Sequence, residues 1–173
     1  MAKRQREQPP LFDVLNAIEV DAGVVACVDS LGDTGRKRLL EIATKKSKGK
    51  YSTSERARAV FLLGELRWRP AFASLGRLLR DESATVRFNS IYAIAAVGGP
   101  HAIQPLLATI KDPKAELSEK AHALHCLAVI GDQDTLKELE SWGGDVADIE
   151  LRRVVKMTQR RLRLVIERLD SPR

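Results

Sequence analysis

Two of the chain's three histidines, His122 and His125, stand with Cys126 in an H-x-x-H-C run, residue types that bind zinc. A zinc ion takes three or four converging ligands. On a helix, residues three apart share a face and the next one along turns away, so His122 and His125 point together while Cys126 falls at a core offset. Two ligands are too few, and no metal is expected. A second set of candidates is the recurring Arg56, Arg87 and Lys120 with Asp81 and Asp112, types suited to anion binding or acid–base work. No glycine-rich phosphate loop, nucleophile elbow or pair of carboxylates with an obvious common cleft accompanies them. Neither an enzyme nor a cofactor is expected.

A third set repeats in place while changing in chemistry. Arg58, Asn89 and His122 form one row, and Phe61, Tyr92 and His125 another three residues on. With the inner stripe turned into the stack, these rows lie side by side on the opposite face of their helices. Aromatics at solvent positions point to a partner. The expectation is a groove for a protein or peptide, with Phe61 and Tyr92 as anchors, Phe88 beside them, and Arg58, Asn89, His122 and Glu65 as the polar rim. A further helix or the N-terminal arm covering the stripe is the alternative.

These positions are set by a repeat. Counting back from Arg67, Gly98 and Gly131, the chain has Arg56, Arg87 and Lys120 eleven residues earlier, the small Ala59, Ser90 and Ala123 eight earlier, and Leu63, Ile94 and Leu127 four earlier. Leu66, Val97 and Ile130 precede the markers directly, and Leu75, Leu106 and Leu139 follow eight later. Ser54, Thr85 and Ser118, thirteen earlier, are read as helix N-caps. Spacings of 31 and then 33 residues indicate stacked helical pairs.

The words ERARAVFLLGEL, VRFNSIYAIAAVG and EKAHALHCLAVIGD, with the closers LGRLLRD and LLATIKD, resemble HEAT repeats, particularly the short bacterial kind first noted in phycobiliprotein lyases. The resemblance implies an all-α fold, an α-solenoid wound as a right-handed superhelix of helical pairs. It implies that the recurring basic and acidic residues bond between neighbouring units, and that the aromatic rows line the concave surface. It carries over no catalytic residue.

The remaining chain is read around that core. Residues 1–10 form a disordered basic arm, and 11–173 a single domain: a degenerate first unit at 11–50, repeats at about 54–84, 85–116 and 117–140, and a long capping helix at about 147–169. Pro70 and Pro100 stand at helix starts, and Ser141 to Asp145 reads as a loop. The capping helix has an inner stripe of Leu151, Val155, Thr158, Leu162, Val165 or Ile166, and Leu169.

Net charge is +6 and sits at the ends: residues 1–10 carry +2, residues 149–173 carry +5, and the body between carries −1. Lys45, Lys46, Lys48 and Lys50 make a basic loop, and Arg152, Arg153, Lys156, Arg160 and Arg163 a basic helix face. These support a second reading, binding of nucleic acid or another polyanion, although no aromatic is interleaved to stack bases. A third reading, an accessory factor of a phycobilin-lyase-like system, rests on the resemblance alone. Cys27 and Cys126 are expected as reduced thiols. With no apolar run near the ~18 residues of a membrane span and no secretory leader, the expected place is the cytoplasm. The favoured function is a non-catalytic scaffold or adaptor.

Overall fold

Each full unit opens on a capped helix. Ser52 Oγ accepts from the Glu55 N–H at 3.2 Å, and the Glu55 carboxylate accepts from the Ser52 N–H at 2.7 Å, a reciprocal capping box. Ser83 Oγ accepts from the Val86 N–H at 3.4 Å. At the third unit the Glu119 carboxylate accepts from the Glu116 N–H at 3.2 Å. The caps are therefore Ser52, Ser83 and Glu116. Each lies two residues before the expected Ser54, Thr85 and Ser118, which sit inside the first turn.

The chain's structure, a computed structural model, describes residues 22–30, 32–44, 50–144 and 146–170. Helices α1 (Ala22–Ser30) and α2 (Gly32–Thr44) belong to the degenerate unit. The full units are α3 (Thr53–Glu65) with α4 (Phe72–Leu78), α5 (Ala84–Gly98) with α6 (Ile103–Lys111), and α7 (Leu117–Ile130) with α8 (Gln133–Gly143). The long α9 (Ile149–Asp170) follows. No strand occurs among the described residues. The expected basic arm at 1–10, Lys45, Lys46 and Lys48 lie outside them, as does the side chain of Cys27.

The repeated apolar positions form the core. Leu63, Ile94 and Leu127 are fully buried, as are Leu75, Leu106 and Leu139 and the small Ala59, Ser90 and Ala123. First helices pack on first helices, α3 on α5 and α5 on α7, and each second helix packs on the first helix of the next unit, α2 on α3, α4 on α5 and α6 on α7. The small residues set the spacing: a Cβ on Gly64 of α3 would lie 2.8 Å from the Ala93 Cα of α5. The result is an all-α solenoid.

Between first and second helices the chain turns through 3-10 segments, Arg69–Ala71 and Gly99–Ala102, each carrying its proline at the start, where the missing N–H is no loss. Gly99 takes φ +53°, and Arg67 takes φ +46° at the preceding turn. Ala84–Lys111 is apolar enough on average for a membrane span, contrary to the sequence expectation. This turn divides it into two helices, and over half of its apolar window is buried within the fold.

Two more boundaries differ from expectation. Ser141, Trp142 and Gly143 continue α8 and are not a loop. Gly143 lets α9 pass close, since a Cβ there would meet Val155 Cγ1 at 2.8 Å. Helix α9 packs across α7 and α8, burying Leu151, Val155, Thr158 and Leu162, with Ile166 half-buried. Val165 faces out at 36% exposure.

Candidate functional site

Helices α3, α5 and α7 carry the two rows that the repeat predicts, and the structure brings three of those six residues, Phe61, Tyr92 and His122, into stacked pairs. The rings of Phe61 and Tyr92 stack at 5.2 Å between centroids and 22° between planes. The Tyr92 hydroxyl donates to the Glu65 carboxylate. Burial first, and then that bond to an anionic acceptor, pushes the Tyr92 phenol up to about 12. Phe61, Glu65 and Tyr92 are all partly exposed, so they make a fixed aromatic ledge at the surface.

Phe88 stacks on His122 at 4.2 Å and 9°, although the two stand one position apart in the repeat register. Phe88 keeps 40% of its surface exposed. His125, at the register position of Phe61 and Tyr92, is exposed. Asn89 turns back on its own helix, its Nδ2 donating to the Thr85 carbonyl at 2.9 Å. Arg58 is half-buried. The expected parallel rows are therefore two stacked pairs, Phe61–Tyr92 and Phe88–His122.

The three metal-type residues diverge. His122 lies on Phe88, and Cys126 Sγ sits 4.0 Å from the Ile91 carbonyl. Burial pushes the Cys126 thiol up to about 11, so it stays protonated and a poor ligand. Among the described residues no three histidine, cysteine or carboxylate side chains converge.

His122 has its own consequence. Its Nε2 is buried without a hydrogen-bond partner among the described residues, and burial, then the nearby His125, holds its pKa below the ordinary value. The unfolded chain then binds the proton more readily, so stability is complete above about pH 6.5 and is lost as pH falls toward the folded pKa. Thermal melts at about pH 7 and pH 5 should show a smaller drop for His122→Leu than for the native chain. An equal drop would refute this.

The recurring charges make structure. Arg56 donates to both Asp81 oxygens at 2.6 and 3.3 Å and to the Ala43 carbonyl of the preceding unit at 3.3 Å. Arg87 donates to Glu119 at 2.8 Å, to Glu116 at 3.0 Å, and to the carbonyls of Asp81 and Glu82 at 3.0 and 3.1 Å. Each arginine thus ties a unit to its neighbour, Arg56 through the Ala43 carbonyl and Arg87 through Glu119, whereas the Arg56–Asp81 pair lies within one unit. The acids on Arg87 are the capping glutamates of α7, which the repeat pattern had not marked. Asp112 accepts from the Lys114 N–H at 2.8 Å and closes the longer turn.

Of the expected basic residues, Lys50 is exposed near the Tyr51 ring, 5.5 Å from its centroid. On α9, Arg152 donates to the Val146 carbonyl at 2.8 Å, Arg153 lies 3.6 Å from Glu150, and Arg163 pairs with Glu140 of α8. Lys156 and Arg160 are exposed. A cleft of about 990 Å³ opens between α4 and α6. Its lining carries Arg77, Arg80, Arg87 and Lys114 with Asp81, Asp112 and Glu119, a near balance of charge.

A family model described as HEAT repeats matches residues 37–124, just over half of the chain. No curated protein matches it.

Proposed function

The chain belongs to the HEAT-repeat family, whose repeats commonly serve as protein-interaction scaffolds and are typically non-catalytic, and on that premise we propose that it is a cytoplasmic, non-catalytic adaptor. It grips a protein or peptide on the ledge of α3, α5 and α7. The observation that carries this reading is the stacked, part-exposed Phe61–Tyr92 pair. Locked aromatic rings offer large contact area at little further entropic cost. Glu65, Arg58 and His125 supply polar groups around them, and Phe88 on His122 extends the apolar strip toward α7.

The test is quantitative capture of a stoichiometric protein from cell extract by the immobilised chain, repeated with Phe61→Ala/Tyr92→Ala. The double variant should lose the partner. Losing two half-buried rings removes about 1–1.5 kcal/mol of burial each and about 0.5–1.5 kcal/mol of stacking beyond that area, so its melting temperature should fall by no more than about 18 °C. Undiminished capture, or a much larger fall in melting temperature, would make these rings core and not contact.

A further inference from the structure

The outward side of α9 presents large apolar side chains that the fold leaves uncovered. Ile149 is 77% exposed, Met157 61% and Leu164 49%, while Leu151, Val155 and Leu162 of the same helix are buried. With 3.6 residues per turn, Ile149, Arg153, Met157, Arg160 and Leu164 fall within about 80° of arc, on the side opposite the buried stripe. One helix therefore has two apolar edges: one seals the last repeat, and the other has basic residues set between its members.

That outer edge carries more basic than acidic groups, Glu167 lying on it among the arginines. Arg153 and Arg163 have Glu150 and Glu140 as partners. Lys156, Arg160, Arg161 and Arg168 have no carboxylate partner among the described residues. We propose that this face docks an acidic amphipathic helix of a partner protein. The partner's apolar residues would meet Ile149, Met157 and Leu164, and its carboxylates Lys156, Arg160 and Arg161.

Three features of the face select this occupant. The apolar members recur as single residues every seven or eight positions, with Arg153 and Arg160 at the seam positions between them, so the edge is half the apolar seam of helix-on-helix packing and half basic; an interfacial membrane helix buries a continuous apolar sector of roughly 100° or more. Helix α9 has no aromatic residue, so a nucleic acid would gain charge contacts but no stacking. A second copy would set cation against cation, which opposes pairing. An acidic helix alone answers both the charge and the seam. This surface is separate from the aromatic ledge, and the two readings stand or fall independently.

The probe is a fluorescein-labelled peptide of about three heptads, with leucine at the two seam positions and glutamate flanking them. Its control has lysine in place of glutamate. Fluorescence anisotropy should show binding of the acidic peptide and none of the lysine peptide. Met157→Ser/Leu164→Ser and Lys156→Glu/Arg160→Glu should each weaken binding about tenfold or more, with melting curves like that of the native chain. Failure of the acidic peptide to bind, or binding by either variant as tight as by the native chain, overturns the proposal. So does preferential retention by phosphatidylcholine–phosphatidylserine vesicles or duplex DNA, or a chain dimer that the same variants dissolve.

Discussion

Arg56→Ala should lower the free energy of unfolding by about 3–5 kcal/mol, and the melting temperature by roughly 6–20 °C in a chain of 173 residues. Arg56 is 5% exposed and Asp81 3%. Their two contacts of 2.6 and 3.3 Å, with the bond to the Ala43 carbonyl, hold both charges out of water. Deleting the guanidinium leaves the Asp81 carboxylate buried, and that desolvation, more than the lost attraction, sets the size of the effect. Removing both partners in Arg56→Met/Asp81→Asn should therefore cost less than the two single changes added together. Denaturant melts of the three variants check this. A loss below about 1 kcal/mol for Arg56→Ala would mean that the pair behaves like an exposed surface bridge.

Gly64→Val should be the next most damaging change, by about 3 kcal/mol. A Cβ at Gly64 meets Ala93 Cα at 2.8 Å, Ala93 Cβ at 3.1 Å and Tyr92 Cε1 at 3.2 Å. The first of these is backbone, which cannot swing aside, so α3 and α5 must part. Removing a helical glycine gains at most about 1 kcal/mol, too little to offset this. The control is Gly76→Ala on α4, where the new Cβ meets only Ile94 Cδ1 at 3.6 Å. There the propensity gain is unopposed, and stability should rise by about 0.5–1 kcal/mol. Because Gly64 also abuts the Tyr92 ring, its replacement should disturb the Phe61 stack. Two variants that moved together would show that close approach does not govern this interface.

The solenoid was legible because its core is periodic: the same offsets that pick out Leu63, Ile94 and Leu127 in the sequence pick out fully buried residues. The stacking of Phe61 on Tyr92 followed from the same register. What failed to follow were features that depend on how one unit is set against the next. His122 lies on Phe88 and not on its register equivalents, because contact across units follows their relative setting, which a linear offset does not encode. Glu116 and Glu119 read as ordinary first-turn acids, and only the fold brings Arg87 to them. The helix starts were misplaced by two residues because Ser52 and Ser54 are equally good capping types, and the choice between them lies in backbone geometry.

The pattern of neighbours carries a dynamic consequence. Helix α5 is gripped by α3, α4, α6 and α7, whereas among the described residues α1 packs on α2. In a linear stack, opening begins where a unit has a neighbour on one side only and spreads inward. Among the described helices, amide protons of α5 should therefore be the slowest to be replaced by deuterium, with those of helices that have fewer neighbours exchanging first. Such graded exchange would leave the ledge residues on α5 the most persistent surface among the described units.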